Sequence, residues 1–417
     1  MLTYMREGQI RKQLAILNSP QNGILPYTEA RLHEFIQKPS VKLLLDMPYD
    51  FIHNHHSMFF DRTRNNAYFH ALRSVIKPSS VVLDLGAGLG IQGLLAAKLG
   101  AKKVYMVEPK DVIHVAKKLV VANGFADRIE CIQGLIEEIK LPEQVDVIVS
   151  VFTGNFLLQE DLLPSLFYAR DTYLKPGGYL IPDAAVMVAV PIALPKFYEE
   201  QIDIWSQSYF DLNVSPVRQY AANSIYYNRH IWKTATYLAN PLPLTEFDFR
   251  TAQGASCEAT VEYTLTDEGA CHGLAGWFNI QIGNSWLSTA PNSPKVHWTP
   301  AFLPLDPPLD LCQGETLHFY LSRPAFGHWS WRVGSSMDKQ MHSTFISQTL
   351  SGPLANNRTH PIRSPHGEHV FDILACFDGK SSIQEIVAQV AAKHPKLKQS
   401  PTQLTQLVTE LARQYSK

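Results

Sequence analysis

The sequence carries no surplus of either charge: 37 Lys and Arg stand against 38 Asp and Glu in 417 residues. A surface that tracks nucleic acid or an anionic membrane needs a basic excess, so neither partner is expected. Long hydrophobic runs are missing. The longest apolar stretch, Ala184–Leu194, is interrupted by Pro191, is too short to span a bilayer, and reads as a buried strand with its exit. The opening MLTYMREGQIRK lacks the apolar segment of a secretory signal. Cysteine is scarce and scattered, at 131, 257, 271, 312 and 376, with no Cys-x-x-Cys pair. Neither a disulfide framework nor a zinc site is indicated, and a reducing cytoplasm is the simplest compartment. Internal repeats and low-complexity tracts are absent as well.

What is present is 45% hydrophobic residues, enough for a sizeable core, in a pattern that changes along the chain. Residues 1–75 read as an N-terminal helical region. Over 76–187, short apolar runs alternate with helical patterns. Strands are predicted at Val81–Leu85, Lys103–Val107, Arg128–Ile132, Val145–Ser150 and Tyr179–Ile181, and helices at Ile91–Leu99, Asp111–Asn123 and Gln159–Tyr173. Such alternation gives a parallel sheet covered on both faces. From 188 to 350 prolines become frequent, and alternating runs such as Ala259–Leu265, Ala275–Gln281 and Glu315–Ser322 predict antiparallel strands. An aromatic, partly helical insertion at about 195–235 concentrates Phe197, Tyr198, Ile202, Ile204, Trp205, Tyr209 and Phe210. Beyond a linker rich in Pro, Arg and His, residues 366–417 return to helix, with capping boxes at Ser382–Glu385 and Ser400–Gln403 and an apolar face of Leu404, Leu407, Val408 and Leu411.

The strongest chemical signal is VVLDLGAGLG, Val81 to Gly90, in which Asp84 precedes Gly86-x-Gly88-x-Gly90. Glycines here let the backbone approach a ligand and turn into a helix. A dinucleotide fingerprint needs a third Gly or Ala where Ile91 stands, so the spacing favours a cofactor without a pyrophosphate. Glu108, at the end of the second strand, is placed to accept both ribose hydroxyls of an adenosine, and Glu137, beside Ile136, to meet the adenine amino group.

From His55 onward, over roughly 49–345, the chain resembles the protein arginine methyltransferase family. The likeness rests on HHSMFFDRTRNNAY, GAKKVYMVE, DRIECIQGLIEEIKLP, YLKPGGYLIP, GWFNIQI, WLSTAP and VHWTP, in that order. It implies an α/β Rossmann-like methyltransferase domain, then an antiparallel β-barrel domain with a helical dimerisation arm, then a small helical C-terminal domain. The implied cofactor is S-adenosyl-L-methionine, leaving as S-adenosyl-L-homocysteine, with no metal needed. Tyr49, Met58, Arg64, Asp84, Gly86, Gly88, Glu108, Ile136 and Glu137 would bind it, Arg64 on the methionine carboxylate. His297 would pair with Asp61 across the domain interface, Trp298 would wall the substrate mouth, and the arm would make a homodimer.

The family's substrate loop has two glutamates that grip a guanidinium. Here Glu160 stands at the second position, Val151 at the first, and Val296 replaces the Thr of the Thr-His-Trp loop. A guanidinium keeps its proton below pH ~12, and two carboxylates fix its plane and draw charge from the attacking nitrogen. Asp161, Glu143 or a residue of the N-terminal region is a candidate for the vacant place. The expectation is methylation of a guanidino or related nitrogen in a small molecule or peptide, with Glu160, His297 and Asp61 as catalytic residues and Val151 and Trp298 facing the substrate. Alternatives are a less cationic nucleophile in natural-product biosynthesis, or a non-catalytic, cofactor-binding partner for peptides. LACFDGKSSIQEI resembles small PqqD-like domains that hold leader peptides, which implies a leader peptide as a ligand of the C-terminal domain.

Overall fold

The computed structural model describes residues 52–334, 339–348 and 365–394, and from the last helix 404–405, 407–409 and 411–412. Tyr49, the remainder of the N-terminal region and the Ser400–Gln403 capping signal lie outside the described residues. Two helices lead in: α1 (Ile52–Phe59) and α2 (Arg62–Val75). Asp61 caps α2 by accepting the Arg64 amide at 3.0 Å, which satisfies one of the donors a helix start leaves open. Helix α2 buries Arg64, Tyr68, Ala71 and Leu72, one face at helical spacing.

Strands β1 (Val81–Leu85), β2 (Lys103–Glu108), β3 (Ile129–Gln133), β4 (Val145–Ser150) and β5 (Leu174–Ile181) form one parallel sheet in the order β3-β2-β1-β4-β5. Helices α3 (Ile91–Lys98), α4 (Val112–Ala122) and α5 (Leu163–Tyr173) connect them. The strand order reverses between β1 and β4, which opens a crevice at their carboxyl ends where ligands bind in doubly wound sheets. The helix predicted from Gln159 begins only at Leu163. Phe156, Leu157 and Asp161 have positive φ, so the chain ahead of α5 is a coiled loop, and Glu160 belongs to that loop.

Between residues 184 and 343 the described residues form two large antiparallel sheets and, in the insertion, a small hairpin that pairs Ser208–Tyr209 with Leu212–Asn213. The larger, of seven strands, is centred on β6 (Ala184–Ala193), Gly269–Ile282 and Ala301–Leu311. The smaller has four strands, beginning with Cys257–Thr264 and Thr316–Arg323. The walls are tied across their shared interior: Tyr263 OH donates to the Ala189 carbonyl at 2.8 Å, and Trp331 Nε1 to the Pro304 carbonyl at 2.9 Å. One apolar core runs from the parallel sheet into these walls without a break. A second core lies on the outer face of the larger sheet, where Phe197, Tyr198 and Ile202 of the insertion pack on Val190, Ile192 and Trp277.

The chain divides into two compact units, the first ending at Gln348. In the second, Ile373, Ile386, Val390, Leu404, Val408 and Leu411 make a small core. Its helix Ile383–Lys393 opens with a reciprocal cap, Ser382 Oγ accepting the Glu385 amide and Glu385 Oε2 accepting the Ser382 amide.

Close approach of two barrel strands gives a stability test. A Cβ on Gly273 would stand 2.2 Å from the Leu303 carbonyl oxygen, a backbone atom that cannot swing aside. Gly273→Ala is expected to destabilise the first unit by about 1–3 kcal/mol, read as an earlier urea or thermal transition. An unchanged transition would show that the strands separate freely.

Candidate active site

The glycine turn lies at the crevice. Gly86, Gly88 and Gly90 all adopt left-handed φ, at 68°, 54° and 81°. The turn is held from below: the amides of Gly86 and Ala87 donate to the Val107 carbonyl, and the Gly93 amide donates to Asp84 Oδ2 at 2.7 Å. Burial pushes the Asp84 carboxyl up to about 7, against the opposing Gly93 amide. Glu108 is buried and accepts the Gly88 amide on Oε2 (2.9 Å) and the Lys110 amide on Oε1 (3.0 Å). Each carboxylate oxygen has two acceptor positions, so one per oxygen is left over, a pattern that fits the two hydroxyls of a ribose.

Helices α1 and α2 roof the turn. His55 is buried with its ring against Gly88, close enough that a Cβ there would meet Nδ1 at 3.2 Å. Arg64 is 2% exposed; its Nε reaches Asn65 Oδ1 at 3.2 Å, and Nη2 donates to that oxygen and to the Met58 carbonyl. Below it, Tyr68 OH donates to the Ser150 carbonyl at 2.8 Å, tying α2 to the end of β4.

Asp61 and His297 meet across the two domains. The Asp61 Oδ2 atom accepts the His297 amide at 2.8 Å and lies 3.0 Å from His297 Nδ1. Burial drives the His297 imidazole down to about 4, beyond what Asp61 can offset. Burial alone would raise Asp61, but hydrogen bonds from His297 and from the Arg64 amide hold it below its ordinary value. The pair at neutral pH is therefore carboxylate and neutral imidazole, with the proton on Nδ1 and a lone pair on Nε2. Next to it, buried Trp298 donates from Nε1 to the Thr153 carbonyl at 2.6 Å, and Asn155 Oδ1 accepts the Thr299 amide at 2.9 Å. Arg229 Nη2 donates to the carbonyls of His297 and Trp298, both at 3.0 Å.

The loop from Val151 to Asp161 completes the site. Val151 packs against the main core. Phe152 lies on Gly86, where a Cβ would fall 1.9 Å from its ring. Glu160 folds against Gly154, with its Cγ 2.9 Å from the Cβ position, and its charge adds to the desolvation that raises the half-buried Tyr227 hydroxyl. Two of the candidates for Val151's missing carboxylate are engaged elsewhere. Asp161 is paired with Arg323 through both terminal nitrogens, Nη1 and Nη2, and also accepts the Phe326 amide. Glu143 precedes β4, away from its carboxyl end, and accepts Tyr105 OH at 3.1 Å. The N-terminal candidate lies outside the described residues. Ile136 is buried, while Glu137 is exposed and accepts the Ser165 hydroxyl of α5. Sequence reading missed Asn155, Arg229 and the Gln159 amide, whose Oε1 accepts both Tyr227 OH and Trp329 Nε1. Asn155 and Gln159 lie in the loop between Val151 and Glu160 and Arg229 lies outside every motif; only their long-range partners mark them.

Residues 82–178 match a methyltransferase domain, and residues 183–325 match the arginine methyltransferase oligomerization subdomain. Protein arginine N-methyltransferase 1 of Oryza sativa subsp. indica is 34% identical over 281 residues, 63% of this chain and 70% of that protein. The chain belongs to the protein arginine methyltransferase family. Protein arginine N-methyltransferase 2 of Dictyostelium discoideum is 36% identical over 247 residues, and the match takes in 57% of this chain and 48% of that relative. The chain thus spans about half the length of some curated relatives. Among solved structures, the Trypanosoma brucei PRMT1 enzyme-prozyme heterotetrameric complex with AdoHcy matches 71% of this chain and 99% of its own, at 28% identity and a TM-score of 0.64.

The histidine gives a pH test. Its folded pKa of about 4 lies below the ordinary 6.5, so the unfolded chain takes up the proton first on acidification. The His297 contribution to stability is therefore lost as pH falls from about 6.5 to about 4. Urea titrations of wild type and His297→Gln should show the wild-type advantage shrinking across that window. A gap that stays constant would mean that His297 is solvated or already charged.

Proposed function

We propose that this protein is an S-adenosyl-L-methionine-dependent methyltransferase acting on a guanidino or related nitrogen of a small molecule or peptide. The observation that carries this reading is the buried Glu108 carboxylate, held by the amides of Gly88 and Lys110 at the glycine turn, one on each oxygen, which leaves each oxygen a second acceptor position. The cofactor supplies a sulfonium methyl group, and the sulfur leaves with the bonding pair as the thioether of S-adenosyl-L-homocysteine. On this reading Glu108 holds the ribose, Ile136 and Glu137 bracket the adenine, and Gly86 and Gly88 bring backbone to the cofactor. Arg64 faces the methionine carboxylate, with Met58 and Tyr49 covering it. Asp84 fixes the turn through the Gly93 amide.

Glu160 orients the acceptor nitrogen and takes its proton. Asp61 and His297 hold the mouth closed between domains, with Trp298 as a wall and Val151 as an apolar floor. The work of the protein is alignment at near-attack distance and exclusion of water. All five cysteines are free, in keeping with a reducing cytoplasm. For the second unit, the PqqD-like resemblance supports a leader peptide as its ligand.

A homodimer is part of the proposal. Half of the aromatic insertion packs on its own sheet, but at its hairpin tip Tyr209, Phe210 and Leu212 are exposed, Phe210 by 82%. Such a patch favours a protein partner. Phe210→Asp should convert the dimer to monomer in sedimentation at micromolar concentration; a wild-type monomer would remove the proposal.

Calorimetry with Glu108→Ala tests the cofactor. Losing a charge-assisted ribose bond should weaken S-adenosyl-L-methionine binding by at least about tenfold without unfolding the chain. Equal affinity would remove the ribose assignment, and absence of binding by wild type would remove the function. For the acceptor, Glu160→Gln should abolish turnover while sparing cofactor affinity, and Val151→Glu should raise the methylation of arginine peptides. Brisk methylation of such peptides by wild type would show that the paired clamp is not needed.

A further inference from the structure

We infer that Asn65 is a positioning residue for the cofactor's carboxylate: it holds the Arg64 guanidinium with a neutral oxygen, so that the charge and one nitrogen of Arg64 are left for the cofactor. The inference rests on the methyltransferase reading and extends it by one residue. A guanidinium has five donors, one on Nε and two on each terminal nitrogen. In Arg64, Nε donates to Asn65 Oδ1 at 3.2 Å, and Nη2 donates to the same oxygen at 3.0 Å and to the Met58 carbonyl. The edge formed by Nε and Nη2 is therefore spent on the protein. Among the described residues Nη1 has no hydrogen-bond partner, and its two donors are what the cofactor can use. Arg64 thus offers a carboxylate a single nitrogen rather than a paired fork.

Asn65 is itself fixed. Its backbone amide donates to the Asp61 carbonyl at 2.9 Å, its Nδ2 donates to the Phe59 carbonyl at 2.7 Å, and its Oδ1 also accepts Gln92 Nε2 at 3.3 Å. Gln92 is buried in the first turn of α3, directly after the glycine turn, so Asn65 ties Arg64 to that turn. The oxygens that hold the fork, an amide and a backbone carbonyl, are both neutral. Arg64 is buried, and among the described residues no carboxylate forms an ion pair with it: Asp61 serves the helix cap and His297, and Asp84 the Gly93 amide. A buried cation without a counter-charge is costly, and an anionic ligand relieves that cost. Burial accordingly lowers the Arg64 guanidinium below its ordinary pKa. An aspartate at position 65 would meet the same two nitrogens but cancel the charge; asparagine keeps the hold and leaves the charge.

The test compares two ligands that share the nucleoside, the thioether and the amino group and differ in the carboxylate, S-adenosyl-L-homocysteine and its decarboxylated analogue, by calorimetry on the full chain. Wild type should bind S-adenosyl-L-homocysteine at least about tenfold more tightly than the analogue, as expected for a charge-assisted bond. Asn65→Leu, which releases the fork, and Asn65→Asp, which holds it but supplies a counter-charge, should each reduce the preference to about twofold or less, without weakening the analogue. Equal affinities in wild type would overturn the proposal. So would a preference that survives in either variant, or variants that weaken both ligands alike, the mark of a merely structural contact. Binding of S-adenosyl-L-homocysteine by wild type is measured first; its absence is a failure of the methyltransferase reading and is distinguished from equal affinities, which are a failure here.

Discussion

One carboxylate joins the two halves of the site. Asp61 caps α2 with one oxygen and takes the backbone amide and ring nitrogen of His297 with the other. The capping bond fixes where α2 begins, and therefore where Arg64 and Tyr68 fall on its buried face. The bonds to His297 fix the loop that carries Trp298, which in turn holds the Thr153 carbonyl of the substrate loop. The start of α2, the loop of His297 and Trp298, and the loop of Thr153 are in register because they share Asp61. A neutral imidazole makes this junction less costly than an ion pair would, since only one buried charge must be solvated by the protein.

The substrate loop is stiffened from the opposite side. Asp161 and Arg323 form a buried pair, 9% and 5% exposed at their side chains. Phe156 stacks on Trp329 at 4.9 Å, and Gln159 is clamped by Tyr227 and Trp329. Breaking one partner of such a pair typically costs about 3–5 kcal/mol, because the other is left buried and unpaired. That cost explains the left-handed residues in the loop: Phe156, Leu157 and Asp161 tolerate unfavourable φ because the β domain holds them there. It also explains why Asp161 is no substitute for a glutamate at position 151. Its charge already serves the fold.

What the sequence disclosed follows from range. The five parallel strands were legible because buried strands are continuous apolar runs, and the turn because Gly86, Gly88 and Gly90 serve a local backbone need. The start of α5 was not. Gln159–Leu162 has no local breaker, and the ion pair to Arg323, 162 residues away, overrides its propensity. The insertion shows the same limit. Composition flagged seven apolar residues together, yet Phe197, Tyr198 and Ile202 cover their own sheet while Tyr209 and Phe210 stay exposed. Hydrophobicity says that a residue seeks cover, not which surface supplies it. Arg229 was invisible for a related reason, since backbone carbonyls hold it and they leave no sequence signature.

The electrostatics of the mouth bear on the nucleophile. Methyl transfer from a sulfonium needs a lone pair on the acceptor, and a guanidinium, with a pKa above ~12, offers one only when carboxylates localise its charge. Two can do so by gripping both edges of the plane; one grips a single edge. His297 does not supply the second charge, because burial keeps it neutral down to about pH 4 and its Nδ1 is bound to Asp61. On the proposed reading, acceptor choice turns on Glu160 and on the uncharged Val151 in the loop that Arg323 holds in place through Asp161.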